Sequence, residues 1–181
     1  KILFTDVNKI LLFIGLPIIS NTVYLILVTP DLKEVLVGTG SNPLTSGGFG
    51  PNQVATVFGL GMFVFFSRLL FESKSKLIMI VNMIIVFNIS YRGLLTFSRG
   101  GMITGFFMII ILLLIIYIKT NSAVKSKLNL MFIFLSIIML VTWLYASNET
   151  EGLIEKRYAN QDASGRTKES QLSGREDIYK S

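Results

Sequence analysis

The sequence predicts an all-α, polytopic transmembrane helical bundle, and three observations carry that prediction. Hydrophobic residues fill 51% of the 181 positions against 15% charged ones, and mean hydropathy is +0.63, far from the composition of soluble domains. Five apolar runs, at 10–28, 54–71, 77–95, 102–118 and 128–146, contain no acid, and at about 1.5 Å per residue each approaches a hydrocarbon core of about 30 Å. The connections between them are short and basic or rich in Gly and Pro, as loops between spans are.

The first span, 10–28, holds Pro17, which removes one backbone hydrogen bond and predicts a kink. Residues 29–52 follow with glycines at 38, 40, 47, 48 and 50 and prolines at 30, 43 and 51, a composition for irregular backbone outside the bilayer core. Asn52, after Pro51, is placed to cap the second span, 54–71, with a ligand contact as the alternative role. Arg68 and Glu72-Ser73-Lys74-Ser75-Lys76 then make a tight turn into the third span, 77–95. Asn82, Asn88, Ser90, Tyr91 and Arg92 lie on that span, and their cost in lipid predicts a polar face turned toward other helices.

The fourth span, 102–118, opens on Ser98-Arg99-Gly100-Gly101. Ser98 can cap it, the two glycines allow close backbone approach, and a helix start offers free N–H groups and partial positive charge beside the Arg99 guanidinium. Such an end suits a phosphate; the plainer alternative is an arginine that snorkels to membrane lipid head groups. Lys119–Lys127 is a basic connection, and the fifth span, 128–146, ends near Trp143 and Tyr145, expected as interface anchors.

Lys1, Lys9, Arg68, Lys74, Lys76, Lys119, Lys125 and Lys127 fall on one side of this arrangement, against Lys33, Arg92 and Arg99 in the short connections of the other. The first side is predicted to be cytoplasmic, so the 29–52 loop, the 98–101 cluster and the residues after 146 face outward. The domain organisation is thus a membrane domain, 1–146, followed by 147–181 as the start of a periplasmic loop, and the chain reads as a fragment of a longer protein. In that outer segment Leu153, Ile154, Arg157 and Tyr158 fit one short amphipathic helix, and Ser173 and Glu176 have capping-box spacing. Lys156, Arg157, Arg166, Lys168, Arg175 and Lys180 face seven acids there, so this is no basic arm and no nucleic acid is expected as a partner.

The absence of Cys and His removes thiolate and imidazole chemistry from these residues, and the absence of acids within the spans weighs against an ion-coupled pump. Outward arginines remain: Arg92, Arg99, Arg157, Arg166 and Arg175, forks suited to phosphate or carboxylate. Together they point to an anionic substrate carried on a lipid.

Three stretches taken together resemble the O-antigen ligase and O-antigen polymerase family of bacterial inner-membrane proteins: GGFGPNQVATVFGLG at 47–61, LLTFSRGGMITGFFMIIILL at 94–113 and SGREDIYKS at 173–181. The resemblance implies a fold like the multi-span (GT-C-like) glycosyltransferases and transfer of a glycan from an undecaprenyl diphosphate carrier to lipid A core or to a growing chain. It implies neither metal nor nucleotide cofactor. It implies that Arg99 and Arg175 grip the carrier diphosphate, with Arg92 a weaker addition that no motif match carries, and that a catalytic histidine of the periplasmic loop lies beyond residue 181. Ligase and polymerase share these motifs. Two rival readings stand beside this one: a lipid-linked oligosaccharide flippase or exporter, and a non-catalytic membrane subunit in which Arg92 and Arg99 are interface anchors.

Overall fold

A computed structural model describes residues 4–72 and 75–168. Its elements in chain order are α1 (Phe4–Val28), the one-turn α2 (Leu32–Val35), a 3-10 turn (Leu44–Ser46), α3 (Pro51–Glu72), α4 (Lys76–Leu95), α5 (Arg99–Lys119), α6 (Ser122–Glu149) and the short α7 (Leu153–Tyr158). Five of these helices are long and apolar enough to cross a membrane, and no strand occurs among the described residues. The chain is an all-α, polytopic transmembrane bundle.

Helix α3, the second of the five, is the axis of that bundle. Of the membrane-length stretch ending α3, 61% is buried, against 33% or less in each of the others, and α1, α4 and α5 all pack on it. The reason lies in small residues. A Cβ on Gly59 of α3 would fall on the Gly101 carbonyl of α5, one on Gly101 would fall on the backbone of Ala55 and Thr56, and one on Gly105 would fall on Gly59. Gly101 and Gly105 therefore form a small-xxx-small seam that brings two backbones into contact, which in lipid replaces the hydrophobic effect as the source of helix association. Phe58, Met62, Phe65, Phe66, Ile89, Ile109 and Leu113 fill the core around it. Outward-facing apolar residues such as Phe13, Leu27, Ile84, Phe107 and Ile111 would be an aggregation surface in water and are the lipid-facing coat of a bundle.

Two span limits differ from those read in the sequence. Helix α1 starts at Phe4 rather than near residue 10, because no breaker separates the polar turn Thr5–Lys9 from the apolar run, and Arg68 of α3 donates to the Asn8 side chain at 2.8 Å. The fifth span starts at Leu128 as expected but runs to Glu149 rather than 146, and helix α6 itself starts earlier, at Ser122, so that only Thr120 and Asn121 join it to α5. Pro17 lies inside an unbroken α1. The 29–50 segment is mostly irregular, with the two short turns noted above.

The polar face expected on α4 is divided rather than continuous. Asn82 and Ser90 are buried in the bundle, Asn88 borders a groove against α1, and Tyr91 packs on Tyr145 of α6 at a ring separation of 5.0 Å. A helix places residues about 100° apart, so positions 82, 88, 90 and 91 cannot share one face.

Candidate functional site

The outward-predicted segments, as far as they are described, meet at one end of the bundle. Helix α4 ends at Leu95, and Thr96–Ser98 turn the chain into α5 with Phe97 fully buried in a left-handed conformation, φ 56°. Phenylalanine pays for that conformation in backbone strain of about 1–3 kcal/mol, so the surroundings must hold it. They do so through Arg157, whose Nε donates to the Phe97 carbonyl at 2.8 Å. Arg157 is brought there by α7: after α6 ends, Gly152 (φ 76°) turns the chain back, and Ile154 is buried beside Leu94 and Ala146. Tyr158 meets Trp143 edge-on at 5.0 Å, so Trp143, expected as an interface anchor, packs α7 onto the bundle. Thr39 of the first outer loop donates to the Gln161 carbonyl at 2.8 Å and ties a third segment to this end.

Arg99 occupies the first position of α5, and its Nη1 reaches the Arg157 carbonyl at 3.4 Å. The Arg99 guanidinium thus reaches the backbone of a residue 58 positions further along the chain, which sets the two arginines beside each other. Among the described residues no carboxylate pairs with either. The charge is felt: burial first, and the neighbouring Arg99 second, push the Arg157 guanidinium below its ordinary value, with Tyr158 opposing. Arg157 remains a cation at neutral pH all the same, since a guanidinium keeps its proton in any protein setting. Burial also pushes the Tyr158 phenol up to about 12 although Arg99 and Arg157 pull it down, so that side chain is a neutral hydroxyl beside the pair.

The helix start beside them is open in a way the sequence did not indicate. Ser98 makes no side-chain cap to α5; its hydroxyl donates to Asn52 Oδ1 at 2.7 Å. Asn52 in turn is not a cap either: it lies inside the first turn of α3, where its side chain fixes the α4–α5 turn. Ser98 therefore leaves the first N–H groups of α5 uncapped, and they keep their partial positive charge. The two glycines have separate roles. Gly101 is consumed by the contact with α3, whereas a Cβ on Gly100 would meet open space, so Gly100 alone keeps the backbone accessible.

No family model, curated protein or solved structure matches the chain. The site's own chemistry is that of two arginines with no carboxylate partner among the described residues, a helix start that Ser98 does not cap and a neutral phenol at one end of a membrane bundle.

Of the arginines singled out in the sequence, Arg99 stands at the centre of this arrangement. Arg92 makes no hydrogen bond to Arg99 or Arg157 among the described residues: its guanidinium carbon lies 5.8 Å from the Tyr91 ring centroid, and its Nε is buried without a hydrogen-bond partner there. The seven-residue spacing from Arg92 to Arg99 fails to align the two because the Thr96–Phe97 turn interrupts the helix. Arg175 lies outside the described residues. Arg166 is exposed in a turn closed by Asp162, which accepts from the Ser164 hydroxyl and the Arg166 N–H, so the first Ser-Gly-Arg triplet is a turn. Arg157 is legible in the sequence as an outward arginine but not as a member of the site. The signal was its place on the amphipathic stretch with Ile154 and Tyr158, which fixes the apolar face of α7 and thereby the direction of Arg157.

Proposed function

We propose that this end of the bundle is the periplasmic face of a protein of the bacterial inner membrane, and that Arg99 and Arg157 bind the diphosphate of an undecaprenyl-linked glycan. The glycan is then transferred to lipid A core or to a growing chain by a metal-independent glycosyltransferase reaction of the O-antigen ligase or polymerase type. The observation that carries the reading is that the Arg99 guanidinium bonds the Arg157 backbone, and that among the described residues no carboxylate pairs with either arginine, beside the start of α5 that Ser98 leaves uncapped. Two like charges are held together at a cost that a diphosphate would offset, and each guanidinium presents N–H groups in a plane that matches phosphate oxygens. The three-stretch resemblance supports the glycan and the carrier.

In that reaction the acceptor hydroxyl attacks the anomeric carbon, the bond from that carbon to the diphosphate oxygen breaks, and its electron pair leaves on the diphosphate. Charge grows on the phosphate oxygens as the bond breaks, and the guanidiniums and the α5 N–H groups are fixed where it grows. The leaving group then needs no proton. Removal of the acceptor proton falls to a base that these residues do not supply, in keeping with the loop histidine that the resemblance implies.

Two measurements test the reading. Full-length protein in proteoliposomes, given an undecaprenyl diphosphate-linked oligosaccharide and acceptor, is expected to yield glycosylated acceptor and free undecaprenyl diphosphate; passage of the intact lipid across the bilayer without cleavage would instead identify an exporter. Orientation is tested by cysteine labelling at Ser41→Cys and Ser122→Cys, both at exposed positions near opposite ends of the bundle. The first should react from the periplasm and the second only after the inner membrane is breached, and the reverse pattern overturns the topology.

A further inference from the structure

Helices α3 and α5 begin side by side, since a Cβ on Gly101 of α5 would fall on the backbone of Ala55 and Thr56 near the start of α3. The start of α3 is closed on itself: the N–H groups of Gln53 and Val54 both donate to the Gly50 carbonyl, at 3.0 and 3.1 Å. What α3 adds to this end is therefore a side chain. Asn52 is exposed there, and its Oδ1 accepts from the Ser98 hydroxyl at 2.7 Å.

That bond sets the direction of the amide. Ser98 is buried, its N–H donates to Thr96 Oγ1 at 3.2 Å, and the hydroxyl of the fully buried Thr96 donates to the Gly93 carbonyl at 2.7 Å. With Oδ1 held by this chain of bonds, Nδ2 is turned away from Ser98, and neither of its N–H groups has an acceptor among the described residues. An exposed asparagine needs no such support to be hydrated; buried hydroxyls that fix one outer amide make it a preorganised donor. The amide is tied to Ser98, the residue before Arg99, while Arg157 holds the carbonyl of Phe97 one position earlier. Asn52 from α3 and Arg157 from α7 thus both grip the short turn that aims Arg99.

We propose, resting on the reading of Arg99 and Arg157 as a diphosphate site, that the Asn52 amide is a specificity-determining donor to the sugar joined to that diphosphate. It selects sugars that carry a hydrogen-bond acceptor, a hydroxyl or an acylamino carbonyl, on the carbon next to the anomeric carbon. The division follows from charge: guanidinium forks suit phosphate oxygens, whereas a neutral amide suits a neutral acceptor, and the substituent beside the anomeric carbon is the one that the diphosphate link brings nearest. A sugar held there as well as at its phosphates has its anomeric carbon fixed for the attacking hydroxyl.

The test is binding to the full-length protein in nanodiscs, with three probes: undecaprenyl diphosphate, an undecaprenyl diphosphate-linked oligosaccharide, and the same oligosaccharide lipid whose first sugar is deoxygenated at that carbon. Asn52→Asp keeps an oxygen for the Ser98 hydroxyl, and so keeps the turn, but cannot donate. Its negative charge weakens both sugar probes alike and cancels in their ratio. Wild type is expected to prefer the intact sugar by about five- to tenfold, the scale of one hydrogen bond between neutral groups, and Asn52→Asp to bind the two equally. Asn52→Ala should lose the same preference, which separates the lost donor from the introduced charge. A preference retained by either variant, or absent from wild type, would overturn the assignment of Asn52. Failure of wild type to bind undecaprenyl diphosphate itself would overturn the diphosphate reading on which it rests.

Discussion

Arg99→Lys is expected to lower glycan transfer by about 10²-fold at matched protein levels, the scale seen when one fixed donor to developing charge is lost. Lysine keeps the charge, so a residue that merely anchors the helix end at the lipid head groups would tolerate the change. It lacks the planar fork, cannot bridge two phosphate oxygens, and cannot hold the position that Arg99 takes against the Arg157 carbonyl. Arg157→Lys is expected to cost as much for an additional reason: its Nε bond to the Phe97 carbonyl holds the left-handed turn that aims Arg99. Because both variants damage one arrangement, the double variant should lose little more than either single one. The measurement is transfer from the lipid carrier in vitro, or surface-polymer formation in a null strain, with membrane abundance measured in parallel. Near-normal transfer by Arg99→Lys would return Arg99 to the role of an anchor.

The second large effect is expected at Gly101. Gly101→Val places side-chain atoms on the backbone of Ala55 and Thr56, which cannot move aside as a flexible side chain can, and overpacking of this kind costs about 1–3 kcal/mol or more. Gly105→Val meets the backbone of Gly59 and should act alike. Gly100→Ala, one position away and facing open space, should leave stability unchanged or slightly raised, since alanine is the better helix former. Thermal melting of detergent-purified protein, followed by the loss of the monodisperse peak in size-exclusion chromatography, separates these outcomes. If Gly100→Ala proves as damaging to the fold as Gly101→Val, the seam between α3 and α5 is not what holds these helices together.

How much of this was legible beforehand differs from residue to residue. Ser98, Gly100 and Gly101 were readable as a helix start, because small and capping residues next to an uncharged run permit few alternatives. Their partners were not readable. The Ser98 hydroxyl can reach its own helix or a neighbour, and only the packing of α3 on α5, which places Asn52 46 residues away within 2.7 Å, decides between them. The same holds for Gly101, where a glycine that welcomes a ligand and one that welcomes another helix have the same local signature.

The sequence by itself determined the five spans and the all-helical class, because both follow from transfer energies summed along the chain. Only the tertiary structure decided that Arg99 meets Arg157 and not Arg92. That choice rests on a turn at Phe97 that breaks the helical spacing from position 92, and on Ile154, whose burial folds α7 back over the end of the bundle. Contacts between residues 58 apart depend on how side chains fill space, and no periodicity along the chain encodes that.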